Sequence, residues 1–203
     1  QDALVWKETW QPKRSLVRTI DLYQPRAFSS KRAASLQSAL DKILNDLQKG
    51  MGKGKLNRSQ ILRSVQLLHE LVEKEPTLYE VYFDLGILYQ IIGENEKGRR
   101  AYKESLKQDP RNPLAHLNLG LLELEEGNLQ EAERGFKEVS LLSPKYAGAF
   151  YLLGVCKSRR GEYEKALDPL QEAITLLPQF LDPYVELGRA QKELGREGEA
   201  SKT

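Results

Sequence analysis

Residues 79–112 read YEVYFDLGILYQIIGENEKGRRAYKESLKQDPRN, and the same skeleton returns over residues 113–146 and 147–180. The Leu85–Gly86 pair recurs as Leu119–Gly120, Leu153–Gly154 and Leu187–Gly188, each time 34 residues further on. Two more columns keep that interval: Gly93, Gly127, Gly161 and Gly195, and Pro76, Pro110, Pro144 and Pro178. Independent columns in one register mark a copied structural unit. Each unit reads as two helices. Glycine ends the first helix because it enters the left-handed conformation without a Cβ penalty. Proline closes the second because it cannot continue a helix. The spacing predicts helices near 79–92, 95–108, 113–126, 129–142, 147–160, 163–176 and 181–194, with another starting near 197 and Pro169 kinking the sixth.

Numbering each unit from 1 to 34 makes the chemistry of the columns plain. Position 4 is large (Tyr82, His116, Phe150, Tyr184), position 20 is small (Gly98, Ala132, Ala166, Ala200), and position 24 is large again (Tyr102, Phe136, Leu170). Small residues at positions 8 and 20 let paired helices approach closely, while 4, 7, 8 and 11 share one face of the first helix. This pattern resembles the tetratricopeptide repeat (TPR) family from Pro76 to Thr203. It departs at position 11, where Glu123, Lys157 and Gln191 follow Tyr89. The resemblance implies an all-α, right-handed superhelical solenoid of helix–turn–helix units whose first helices line the concave side. It also implies protein binding rather than catalysis.

The domain reading is then an extended basic, aromatic arm over 1–30, a divergent first helix pair over 31–76, and the array over 77–203. The array comprises 79–112, 113–146, 147–180 and a partial unit, 181–203, which stops part-way through an expected helix. Asn57–Lys74 has helical spacing through Ile61, Val65, Leu68 and Leu71. Its expected partner is Lys31–Lys49, across the glycine-rich turn Gly50–Leu56. Net charge is +2 overall, but residues 1–58 hold twelve Lys/Arg against five Asp/Glu, so the basic excess sits at the amino end.

No catalytic, cofactor-binding or metal-ligating set is expected. His69 and His116 lie in different units, Cys156 is single, and zinc spacing is lacking. His116 fills the large position 4 and reads as a packed core residue. Gly50–Lys55 lacks the glycine and hydroxyl residue of a phosphate loop. The basic flank could attract nucleic acid through its charge, but Trp6 and Trp10 form no stacking motif, which disfavours that partner. No apolar run is long enough to span a bilayer. A start at Gln1 rather than Met fits either a cleaved export signal or an upstream boundary, leaving the compartment open between export and cytoplasm.

By the resemblance, positions 5, 9, 12 and 13 face the groove. The expected partner-binding residues there are Phe83, Ile87, Ile91, Leu117, Asn118, Leu121, Leu124, Tyr151 and Val155. The family's carboxylate clamp needs Lys and Asn at positions 2, 5, 6 and 9, and only Asn118 matches. The expected partner is therefore a helical or extended apolar segment of another protein within a multiprotein assembly. The chain's own arm is a second candidate, through Trp6, Trp10, Leu22 and Phe28, docking within one molecule or onto a neighbour. Two further readings stay open: a self-associating structural oligomer, and a substrate-docking module of a larger enzyme.

Overall fold

The computed structural model describes Ser38 and residues 58–74 and 79–195. Eight full helices fall in that range: α1 (Arg58–Lys74), α2 (Tyr79–Ile91), α3 (Asn95–Gln108), α4 (Pro113–Glu125), α5 (Leu129–Leu142), α6 (Ala147–Arg159), α7 (Tyr163–Leu176) and α8 (Asp182–Glu193). Seven of them match the spacing-predicted spans of the repeats to within a residue or two, and no strand occurs among the described residues. The expected helix over 31–49, the turn after it and the helix from about 197 lie outside the described residues, Ser38 apart.

The described residues divide into two compact units, with the boundary between Asn118 and Leu119 inside α4. In the first, α1 packs on α2 and α2 on α3. Ile61, Val65, Leu68 and Leu71 of α1 form one core with Val81, Leu85, Leu88 and Ala101. In the second, α5 packs on α6, α6 on α7 and on α8, and α7 on α8.

Local chemistry sets the helix ends. Gly93, Gly127, Gly161 and Gly195 have φ of 81°, 81°, 74° and 75°, the left-handed exit their column predicts. The residue after the glycine then donates back across the last turn: Glu94 N to Tyr89 O at 2.8 Å, Asn128 N to Glu123 O at 2.8 Å, Glu162 N to Lys157 O at 2.9 Å. At the start of α4, Asn112 Oδ1 accepts from Leu114 N (3.0 Å) and Ala115 N (3.2 Å), with Pro113 as the first helical residue. Pro169 remains inside an unbroken α7, where its missing N–H removes one internal bond.

Within each helix pair a glycine faces a large side chain. Gly86 lies against Tyr102, Gly120 against Phe136, and Gly154 against Leu170. A Cβ on Gly120 would sit 2.8 Å from Phe136 Cε1, and Phe136 is completely buried. The Gly120→Ala variant is therefore expected to lose about 1–3 kcal/mol of stability through overpacking. Urea unfolding measures this, and an unchanged midpoint would show that the ring gives way freely.

Candidate functional site

The two classes of helix are buried differently. The second helices each bury a single stripe: Gly98, Ala101, Tyr102 and Ser105 on α3, Ala132, Phe136 and Val139 on α5, and Ala166, Leu170, Ala173 and Ile174 on α7. Three of the first helices are buried through their middle turns. Asp84–Leu88 on α2, Gly120–Leu124 on α4 and Tyr151–Cys156 on α6 are unbroken buried runs, each longer than a helical turn. Residues in such a run point to every side of the helix, so polar contact with solvent falls mainly to the helix ends, as at Glu125 and Arg159.

This places the expected groove residues. In the first unit Ile87, Leu117 and Asn118 are buried, while Phe83 and Ile91 are half-buried. The Phe83 ring packs against Tyr102 at 6.0 Å, and Ile91 packs against the α1–α3 core. In the second unit Leu121, Leu124, Tyr151 and Val155 are all buried. Tyr151 meets Phe180 edge-on at 5.1 Å. Glu125 and Arg159 of the same register are exposed, and on α8 Val185 is 64% exposed with Arg189 and Lys192 also reaching solvent. The arm residues Trp6, Trp10, Leu22 and Phe28 lie outside the described residues.

Residues 83–136 and 149–179 match models described as tetratricopeptide repeat. These two stretches are tetratricopeptide repeats. Solved structures with the same fold include a crystal structure of MamA, which is 24% identical with a TM-score of 0.69, over 76% of this chain and 88% of that one. MamA from residue 41 to its end, from Desulfovibrio magneticus RS-1, is 21% identical with a TM-score of 0.69, over 80% and 89%. YrrB, described as a TPR protein with an unusual peptide-binding site, is 14% identical with a TM-score of 0.67, over 84% and 89%. A comparison with curated protein sequences gives no match. The TPR chain thus has the all-α fold class of repeat solenoids, a class of protein-interaction modules.

Position 11, where this TPR protein departs from the family pattern, carries polar links instead of an aromatic column. Tyr89 Oη and His69 Nε2 are 2.6 Å apart, and Asn128 Nδ2 donates to Glu123 Oε2 at 2.7 Å. Lys157 Nζ donates to Glu133 Oε1 at 2.6 Å. Arg160 donates to the other Glu133 oxygen at 2.6 Å and pairs with Glu162 at 2.6 Å, so α5 and α6 are joined by a part-buried ionic chain. These side chains were not among the expected site residues, although the odd residue at position 11 was the available signal. The crevice beside them, lined by Gly127, Asn128, Leu129, Gln130, Glu131 and Arg160, has a volume of about 390 Å³ and an arginine already engaged by two carboxylates.

His116 corrects its expectation. It is half-buried, and its Nε2 donates to the carbonyl of Pro110 at 2.9 Å. Tyr184 repeats that contact with Pro178 O at 3.1 Å, so a polar ring at position 4 ties the helix to the preceding proline. Among the described residues no three His, Cys, Asp or Glu side chains gather as a metal-binding set. None of the described helices is long and apolar enough to cross a membrane.

Burial pushes the Cys156 thiol up from 9.0 to about 12, with Glu133 adding to the rise. It also pushes the Tyr151 hydroxyl from 10.0 to about 12, helped by Asp182 and Glu186. Both folded values are raised, so their contribution to stability is present below pH 9 and lost as pH climbs towards 12. Over that window the unfolded chain releases protons that the fold retains. Urea midpoints are expected to hold up to about pH 9 and fall above it. Alkylation of Cys156 is expected to track unfolding, and rapid labelling of the folded chain would contradict its burial.

Proposed function

We propose that this TPR protein is an interaction scaffold that takes an apolar segment, helical or extended, of a partner protein along the inner register of its first helices, within a larger assembly. The supporting observation is the unbroken burial of those helices beside the single buried stripe of the second ones. A surface whose residues are apolar and covered accepts a guest by exchange, so a partner has to displace whatever lies over Ile87, Leu121 and Val155. Residues 1–30 supply such a cover, through Trp6, Trp10, Leu22 and Phe28. The unusual peptide-binding site described for YrrB accords with a peptide-type ligand on this fold. A family of interaction modules gives no support to a catalytic role.

Removing residues 1–30 is expected to uncover apolar surface and to raise fluorescence of a hydrophobic dye several-fold, with helical content otherwise kept. Unchanged dye binding would exclude the arm as cover.

A second reading, self-association, has its own observation. Leu181 is 71% exposed and Val185 64%, one turn apart on the stripe that enters α8, and no described side chain covers them. Single exposed apolar residues are ordinary, whereas neighbours on one stripe favour a contact. Under this reading the mass from light scattering rises with concentration in the parent chain and not in Val185→Glu. A concentration-independent mass would end it.

A further inference from the structure

The outer stripes of the second helices change sign along the chain. Column 22 reads Arg100, Arg134 and Asp168 on α3, α5 and α7, and column 25 reads Lys103, Lys137 and Gln171. Column 26 keeps glutamate throughout, as Glu104, Glu138 and Glu172. Steps of three and four set these columns on one face of each helix. Every one of these side chains is exposed except Glu104, which is half-buried.

Pairing close at hand leaves some of that charge over. On α3, Glu104 goes to Lys107 at 2.7 Å and Glu96 to Arg99, so Arg100 and Lys103 form no ion pair among the described residues. On α5, Glu131 takes Arg134 at 2.8 Å, and the remaining Lys137 and Glu138 cancel. On α7, Lys165 turns to Glu162 at 3.1 Å, so Asp168 and Glu172 form no ion pair among the described residues. A pair of cations is left on α3 and a pair of carboxylates on α7.

The two pairs match in place and in spacing. Each sits at the middle of a 14-residue helix. Arg100 and Lys103 are separated by about one turn, as are Asp168 and Glu172, and a turn rises about 5.4 Å. Set face to face, a cation meets a carboxylate at both levels. Neither helix exposes a large apolar side chain, so the contact is polar. A uniform polyanion would also face Glu96 and Glu104 on the stripe of α3. The stripe of α7 is mixed in the complementary sense, with Lys165 and Gln171 among its carboxylates.

We infer that the outer face of α3 docks on the outer face of α7 in a second copy of this chain, with Arg100 and Lys103 set against that copy's Asp168 and Glu172. Exposed ion pairs are weak one by one, so the contact is of low affinity and sensitive to salt. Complementary charge serves it chiefly by selecting the partner face and speeding encounter. The contact uses neither the inner register nor Val185, so it stands apart from both readings above.

Light scattering of Val185→Glu, in which the apolar contact at α8 is removed, tests this. Its mass is expected to rise with concentration in about 0.05 M salt and to stay flat in about 0.5 M. The reading at α8 is tested at the higher salt, where this contact is silent. Adding Arg100→Glu with Lys103→Glu is expected to weaken the association on the order of tenfold, and Asp168→Lys with Glu172→Lys to do the same. An equimolar mixture of the two charge-reversed chains is expected to recover the affinity to within about threefold, since each reversed face then meets its opposite. Carbodiimide coupling in a mixture of plain and isotope-labelled chains is expected to join Lys103 to Asp168 or Glu172 between copies. A mass independent of concentration in the lower salt would overturn the inference. So would a mixture no stronger than its components, with helical content unchanged. Binding of duplex DNA or anionic vesicles that is lost in the Arg100→Glu, Lys103→Glu chain and not recovered in the mixture would assign the stripe to a polyanion instead.

Discussion

Two helices can lie flush only if one of them withholds a side chain where the other projects its largest. Here Gly86, Gly120 and Gly154 withhold it, and Tyr102, Phe136 and Leu170 fill the gap. Because Tyr102, Phe136 and Leu170 are completely buried, each contact has no slack to absorb another carbon. The other columns serve this one. The left-handed glycine turns bring the second helix back onto the first, and small residues such as Ala132 and Ala166 keep the crossing close. Leu85, one residue before its glycine, is buried with the α1–α3 core, so pairing within a unit and packing on the preceding helix are set together.

This arrangement also divides labour between the helices. Close pairing uses one stripe of each second helix and leaves the rest of it in water, where i,i+3 ion pairs such as Lys107–Glu104 and Arg134–Glu131 decorate it. Such exposed pairs add little stability. The first helices α2, α4 and α6 have no such free side along their middle turns. Positions 5 and 9 of the register are buried or half-buried on α2, α4 and α6, whereas on α8 Val185, Arg189 and Lys192 meet solvent. Under the proposed function, a partner binding at covered residues gains only the difference between its own contacts and those it replaces.

Proline and glycine columns make the helices legible, because backbone geometry at Gly127 or Pro110 is a property of the residue itself. Core positions such as Ile61 and Leu71 are legible from helical spacing. Cover is not. A register tells which residues share a face, and Leu121 or Val155 would show the same spacing whether bare or buried. The polar links are hidden for a related reason. Glu133 and Lys157 stand 24 residues apart, and only folding makes them neighbours. His116 departs from its expectation because column 4 specifies size, whereas its ring nitrogen goes to the Pro110 carbonyl.

The four turn glycines hold φ values between 74° and 81°, so the turns within the units α2–α3, α4–α5 and α6–α7 leave their first helices alike. Adding or dropping one residue inside a helix would rotate all later side chains by about 100°, setting glycine against the wrong partner. Adding or dropping 34 would leave every facing pair intact. The molecule can therefore change length only by whole modules, like a ruler cut at its marks.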